Sequence, residues 1–474
     1  MAGCDPVSLS REISDLGIES IVAEPGRPQP GEEWWPYPLD AWPLANLSLY
    51  TGRTGAGQRI PVARPGNTGE VARLAAWASR RGVCLIPRGG GSGVLGAAAW
   101  RDCCVIVDLQ SLDHVRVDPA SQVVEAGAGA VVARIEEEAR LHGLTLALEP
   151  QSFYSATIGG MLQTLGSGLL QPGIGNVEDV LVYVDVVLAG GKLLRAGSER
   201  APRGLQPYGM EHLFLGAEGT LGIIVGAGLR LRRIPRHKAS RTYRFPSVSR
   251  ALEAARRLVQ WNQPALIRVF DAAESSLFFG EQGPLLLVLY VDDEDQGIPE
   301  ALASKADRVA SSLGAERARD VYEEWYARRY SYGDLVKRLA EDMGLWFDTI
   351  DLQAPWPALE RLSAELEQAP ARIKGVAASF YHVSHFYLNG GSLYLTLAVE
   401  QRPEALWRAW SWVMNKAIEL GAATTHHHGI GLQKMPWLSV TPGQGSMELY
   451  CAVKRALDPG RVLNPHGPAS GCRG

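Results

Sequence analysis

The chain has 474 residues, too many for one ordinary hydrophobic core, so two or three domains are expected. Its 47 Lys+Arg against 51 Asp+Glu give a formal net charge of −4, and no long basic run stands out, which argues against a general nucleic-acid binder. Apolar and charged fractions of 46% and 21% are those of a soluble globular protein, and no apolar run approaches membrane-spanning length.

The N-terminus has no basic segment followed by an apolar core, so no secretory signal is expected. Residues 1–58 include Trp34, Trp35, Pro36, Tyr37, Pro38, Trp42 and Pro43. Proline continues neither a helix nor a central strand, so this stretch reads as an irregular arm packed by its tryptophans. A lid or an apolar contact surface is the sharper alternative. Asn67 followed by Glu70 signals a helix start; Val71, Leu74, Ala75 and Ala78 recur at helical spacing, and Gly82 closes the helix. The run 83–86 reads as a strand leading into a glycine loop. A strand follows at 122–127, then a helix at 131–141 with Glu136, Glu137 and Glu138 on its wet side and Gly143 beyond it. Strands at 180–188, 221–225 and 228–232 complete this region.

From about residue 237 the pattern changes. Strands are expected at 242–245, near Ile267 and at 285–291, with helices at 249–259 and 299–313. A similar order recurs as strand 346–352, helix 356–368, strands 374–387 and 391–399, helix 404–420 and a strand into His426. Two α/β halves that each return a strand suggest one sheet covered by helices. His426, His427 and His428 stand in a row before Gly429-Ile430-Gly431. Three consecutive imidazoles cannot all serve one buried face, since on a strand His427 would point away from the other two. Their place between apolar segments makes a tag a poor reading, leaving a metal site or a catalytic cluster. Six cysteines at irregular positions, including the vicinal Cys103 and Cys104, form neither a disulfide framework nor a zinc spacing. A reduced, cytoplasmic setting is therefore expected.

The loops carry most of the chemistry. Gly89, Gly90, Gly91, Ser92 and Gly93 follow a strand, and with so few side chains their amides can turn toward a pyrophosphate. Gly127-Ala128-Gly129 imitates a dinucleotide fingerprint, but Val132 stands where the third glycine belongs and no acidic residue follows at the right distance. Further small-residue clusters run from Glu149 through Ser152 to Ala156–Gly160, at Gly166–Gly168, and from Gly216 to Ile224. Several such loops, each beside an apolar strand, can enclose a large flat cofactor by backbone contact.

In this order the text PRGGGSG, VEAGAG, EPQS, ATIGG, GNVEDV and FLGAEGTLGII resembles the FAD-binding domain of the vanillyl-alcohol oxidase / p-cresol methylhydroxylase (PCMH-type) flavoproteins. The resemblance implies an α+β fold: a PCMH-type FAD-binding domain of two α/β subdomains, plus a cap domain with a sheet covered by helices. It places the arm at 1–58, the FAD domain at 59–236, the cap at 237–430 and a return to the FAD domain at 431–474. The FAD-binding candidates it implies are Pro87, Arg88, Gly89, Gly90, Gly91, Ser92 and Gly93; Pro150, Gln151, Ser152, Thr157, Gly159 and Gly160; Gly166 and Ser167; and Glu218, Gly219, Gly222, Ile223 and Ile224. Members with a histidyl-linked flavin have His where Ser92 stands, so non-covalent FAD is expected.

The cap is similar to that of the alkyldihydroxyacetonephosphate synthases. The triple histidine before Gly-x-Gly, a tyrosine at Tyr394, and arginines at Arg268 and Arg338 match four separate segments of that family. The match implies a redox-neutral exchange of acyl for alkyl through a flavin N5 adduct. Tyr394 with His428 would transfer protons, Arg268 and Arg338 would bind anionic groups, and His426 and His427 would shape the site. Flavin 2-hydroxy acid dehydrogenases are similar over the same domains but have Glu at position 427 and His at position 394; several hold a divalent metal there. The alternative is thus an FAD-linked oxidase or dehydrogenase of a 2-hydroxy acid or alcohol. The expected partner is a small molecule, a phosphorylated lipid precursor or a hydroxy acid or alcohol; no nucleic acid and no transmembrane segment are expected, and a homodimer is compatible.

Overall fold

The computed structural model describes residues 5–23, 59–100, 103–202, 209–262, 264–331 and 342–472. Two compact units result: Met1–Ser167 with Asn176–Arg232 and His427–Gly474, and Gly168–Gly175 with Arg233–His426.

The first unit opens on a four-stranded sheet of β1 (Glu19–Ala23), β2 (Ile60–Arg64), β3 (Cys84–Arg88) and β4 (Cys104–Asp108), in the order β1-β2-β4-β3. β2, β4 and β3 are parallel, and β1 adds antiparallel to β2. The crossover helix Thr68–Arg81 starts and ends as its sequence dictates: the Asn67 side chain accepts from the Glu70 amide, and Gly82 caps it at φ 68°. Its buried face joins Leu85, Val105 and Val107 in one core. Residues expected with the arm contribute as well. Helix Pro6–Asp15 sends Leu9 and Ile13 into that core, and β1 extends the sheet. The Trp/Pro-rich stretch itself lies outside the described residues.

The cysteine reading is corrected here. The parallel register sets Cys84 opposite Cys104 with Cα atoms 4.5 Å apart, and the two form a disulfide; Cys451 and Cys472 form another, and Cys103 is also disulfide-bonded. Spacing along the chain could not show the first pair, because strand register rather than sequence separation brings Cys84 and Cys104 together. The inference of a reducing compartment therefore loses its premise.

Next come β5 (Val115–Asp118), β6 (Val123–Gly127), the short β7 (Leu144–Thr145), β8 (Leu181–Val187), β9 (Leu193–Gly197), β10 (Ile223–Arg230) and the short β11 (Arg232–Arg233). Five of these form an antiparallel sheet, β5-β6-β10-β8-β9. β10 spans both segments read as separate strands, with a register irregularity between Ile224 and Gly226. Helix Val132–Arg140 departs from expectation on one point. Glu136 is not on the wet side but buried, accepting from the Thr145 hydroxyl at 2.8 Å and the Leu146 amide at 2.9 Å while paired with Arg140. A buried carboxylate so satisfied fixes the turn after the helix.

The C-terminal segment returns to this unit. Leu463 bridges Leu85 in parallel, flanking β3 on its free side. Lys454 is fully buried there, donating to Thr220 O, Leu463 O and the Asp458 carboxylate at 2.5–2.7 Å. Burial pushes its ammonium pKa down, and the Asp458 charge opposes that shift.

The second unit is one antiparallel seven-stranded sheet of β12 (His237–Arg244), β13 (Leu266–Phe270), β14 (Leu285–Asp292), β15 (Glu316–Arg317), β16 (Leu345–Pro355), β17 (Val376–Tyr387) and β18 (Gly390–Glu400), ordered β15-β12-β14-β13-β17-β18-β16. Helices Val248–Asn262, Gly297–Ser312, Trp356–Leu366 and Pro403–Glu419 pack on it and on one another as a single layer. The single covered sheet agrees with the sequence reading. The stretch before the histidines is not a regular strand: Ala423 makes one bridge to Gln353, and the chain then runs irregularly. Among the described residues no helix is long and apolar enough to cross a membrane.

Candidate active site

In the first unit the small-residue loops pack against one another too closely for side chains. A Cβ on Gly89 would fall 2.1 Å from the Thr157 hydroxyl, and one on Gly90 only 1.8 Å from the Ser155 carbonyl oxygen. Gly91, at φ 68°, lies under the Arg88 guanidinium. Among the described residues the amides of Gly90, Gly91, Ser92 and Gly93 donate to nothing else, so they are available to an anionic group. Thr157 caps the helix Ile158–Thr164 through the Gly160 amide, and Gly159 closes on Ala128. From the same helix Gln163 accepts the Gly219 amide at 2.8 Å and donates to Gly222 O, tying down the third loop. These loops fit the diphosphate and ring edges of a dinucleotide held by backbone contacts.

The remaining FAD candidates take different places. Ser167 bonds Asn176 at 2.7 Å, and Gly166 donates to Met161 O. Pro150 is buried, Ser152 half-buried and Gln151 exposed. Pro87 lies against Gly219, while the side chains of Ile223 and Ile224 belong to the cores on either side of β10. Glu218 is buried at φ 48°, and its carboxylate takes the amides of Ile430 (2.5 Å) and Gly431 (3.0 Å). It therefore anchors the Gly-x-Gly turn after the histidines. His427 and His428 stack edge to face at 4.7 Å in this unit, whose boundary falls between His426 and His427.

In the second unit a row of side chains crosses the sheet. Phe270 of β13 lies opposite His382 of β17, His382 opposite Tyr394 of β18, and Tyr394 opposite Asp351 of β16. Residues directly opposed share a face. The other face belongs to the helix layer, where Gly391 lies against Leu359. His382 stacks on Tyr394, centroids 5.0 Å apart and planes within 13°. His426 is lowered onto this face by its backbone: Ala423 pairs with Gln353, the Gln353 side chain donates to Thr425 O at 2.8 Å, and the His426 amide donates to Asp351 at 2.7 Å. Its ring then meets two phenols, Tyr394 at Nδ1 (2.8 Å) and Tyr387 at Nε2 (2.6 Å). The histidine bonded to the Tyr394 hydroxyl is thus His426, the one given a shaping role by sequence.

Arg268 is two residues before Phe270 on β13, hence on the same face. It is 9% exposed, and its guanidinium pairs with Glu274 at 3.3 Å; the second Glu274 oxygen meets His382 Nδ1 at 3.2 Å. Burial works against the Glu274 charge, but His382 and Arg268 together hold its pKa below the usual value. Asp271 caps the helix that carries Glu274 and accepts the Glu274 and Tyr381 amides; burial nonetheless pushes its carboxyl up to about 7. Burial, then the Asp351 charge and Tyr387, pushes Tyr394 well above the ordinary phenol range, partly opposed by Arg268. Tyr394 therefore keeps its proton at neutral pH. Arg338 lies outside the described residues. Sequence reading missed Asp351, Tyr387 and Glu274; only strand alternation between partners, invisible without the register, could have found them.

Among the described residues the one grouping with metal-ligand chemistry is Cys84, Cys104 and His466, whose ligand atoms lie within 4.8 Å of one another, and there the sulfurs are joined to each other.

The FAD binding domain model matches residues 61–197, and that of the FAD linked oxidases, C-terminal domain, matches residues 234–467. The chain belongs to the FAD-linked oxidase family. It is 26% identical to an alkyldihydroxyacetonephosphate synthase of Dictyostelium discoideum, over 87% of this chain and 74% of that protein. It is 24% identical to a glycolate oxidase subunit of Bacillus subtilis (85% and 87% covered) and 23% identical to a D-lactate dehydrogenase of Archaeoglobus fulgidus (86% and 91%). Among solved structures, an alkyldihydroxyacetonephosphate synthase aligns with a TM-score of 0.73 at 22% identity, covering 90% of this chain and 80% of that one. p-Cresol methylhydroxylase aligns at 0.69 and 16%, covering 86% and 88%. This member of the family is accordingly an enzyme with FAD as its cofactor and the PCMH-type fold anticipated from sequence.

Proposed function

We propose that this flavoenzyme catalyses a redox-neutral substitution of the alkyldihydroxyacetonephosphate synthase kind, exchanging an acyl for an alkyl group on a phosphorylated three-carbon ketone. The observation that carries the reading is the part-buried Tyr394–His426 hydrogen bond, with the phenol held protonated. Such a pair can take a proton from a carbon beside a carbonyl and return it, which an exchange requires and a net oxidation does not. FAD, when bound, supplies an electron-poor ring able to accept electron density from the substrate carbon. Tyr394 and His426 handle the proton, Arg268 keeps Glu274 ionised beside His382, and Arg338 is the remaining candidate for the phosphate. FAD is held without a covalent link at position 92, where serine stands.

The test is anaerobic incubation of the holoenzyme with an acyl dihydroxyacetone phosphate and a long-chain alcohol. Ether product without any electron acceptor is expected. If the flavin bleaches only with 2-hydroxy acids, and turnover demands an acceptor, the reading fails. That second outcome is the alternative favoured by relatives such as the glycolate oxidase subunit and D-lactate dehydrogenase, whose identities differ from the synthase's by only a few per cent.

A further inference from the structure

The face that carries Tyr394 holds one residue that strand alternation alone would not put there. His382 and Ser384 lie opposite Tyr394 and Ser392, so an uninterrupted β17 would turn residue 387 toward the helix layer. A one-residue register shift between Ser384 and Tyr387 reverses the count. His385 is the inserted residue, at φ 49°, a backbone conformation that residues with side chains rarely adopt. Phe386 then points to the helix side, where it stacks on Trp356 at 5.5 Å. Tyr387 returns to the opposite side and reaches His426 Nε2 at 2.6 Å.

Both ring nitrogens of His426 are thus bonded to phenols. A neutral imidazole has one N–H and one lone pair, so one phenol must accept and the other donate. Half-buried Tyr387 can pass its own hydrogen to water, whereas Tyr394 is 3% exposed, beside the Ser392 hydroxyl, and has His426 Nδ1 at 2.8 Å to receive its hydrogen. We propose that Tyr387 is a positioning residue that holds the proton of neutral His426 on Nε2, leaving the Nδ1 lone pair to receive the Tyr394 hydroxyl proton. The inference rests on the Tyr394–His426 pair being the proton-transfer unit. As Tyr394 takes a proton from substrate on its oxygen, its own proton passes to Nδ1. The resulting imidazolium donates to both phenol oxygens, and the reverse steps restore the start with no oxidant consumed. Among the groups facing His426 are Tyr387 and Tyr394 at its ring nitrogens, the His385 ring 5.0 Å away, and Asp351 at its backbone amide. The Asp351 charge favours the imidazolium, and a protonated His385 would oppose it.

The experiment uses holoenzyme labelled with 15N-histidine, with Tyr387→Phe, and with Tyr381→Phe as a control on the same strand whose hydroxyl bonds Glu367 instead. The His426 signals are assigned by their loss in His426→Asn. Wild type is expected to show a protonated Nε2 and a bare Nδ1; Tyr387→Phe moves the tautomer population toward Nδ1–H, and Tyr381→Phe leaves it unchanged. In turnover, Tyr387→Phe lowers kcat about 100-fold, the low end for positioned proton-transfer groups, with KM kept and the acidic limb of the pH profile moved to lower pH. An unchanged His426 spectrum in Tyr387→Phe overturns the proposal, as does a lower kcat with an unmoved pH profile. If the spectrum shifts but no acyl exchange is found with any variant, the tautomer assignment stands and the proposed reaction falls.

Discussion

The two units use opposite means. In the first, the loops work by what they lack: a Cβ at Gly90 would fall 1.8 Å from a backbone oxygen, and the amides of Gly90–Gly93 donate to no other group among the described residues. In the second, the candidate site is a connected set of buried and half-buried side chains, from Arg268 through Glu274 and His382 to Tyr394, His426 and Tyr387. Adding atoms should break the first unit, and removing them should break the second. Backbone sites of this kind bind, while buried side-chain networks move protons and set geometry.

Gly90→Val should remove the cofactor and with it all turnover, leaving a folded but colourless protein. Flavin absorbance per chain would fall below roughly a tenth of wild type, by analogy with the loss of well-placed amide contacts to a charged ligand. Full retention of FAD would show that the loop can shift and would undo the contrast. Tyr394→Phe should do the reverse, keeping the flavin while lowering turnover on the order of 10²- to 10⁴-fold; loss of flavin instead would mean the second unit governs binding too. Lys454→Met tests whether side chains also matter structurally in the first unit. Stranding buried Asp458 should cost about 3–5 kcal/mol, read by denaturant unfolding, and Asp458→Asn added to it should recover part of the loss. The smallest effect concerns pH. Asp271 keeps its proton up to about pH 7 in the fold but loses it near roughly pH 4 when unfolded. Between those values the native state binds more protons, so its contribution to stability falls as pH rises, by up to about 1.4 kcal/mol per pH unit. Asp271→Asn should flatten that part of the curve between pH 5 and 7 in thermal melts.

The same contrast explains what could be read from the sequence. Glycine loops are legible because steric exclusion shows directly as missing side chains, and helix Thr68–Arg81 was legible because its caps are local. The side-chain cluster was only half legible. The histidines stand out as a run, and Tyr394 and Arg268 through family resemblance, but their partners depend on register. Nothing local says that Asp351 lies opposite Tyr394, that a bulge at His385 turns Tyr387 over, or that Cys84 faces Cys104. Glu136 is hidden for a related reason: its partners, Thr145 at the end of β7 and Leu146 just after it, lie beyond its helix.

The split composition of the first unit bears on how the molecule is made. Its last strip, residues 427–474, flanks β3 and inserts Lys454, yet residues 233–426 must emerge from the ribosome first. At about 5–20 residues per second that is a delay of roughly 10–40 s, during which β3 has an open edge and Thr220 O awaits its lysine. The second unit is nearly continuous in sequence and can close as soon as His426 is exposed. The second unit is therefore expected to mature before the first, and cofactor loading becomes a late event that follows synthesis of the segment carrying Lys454 and Leu463.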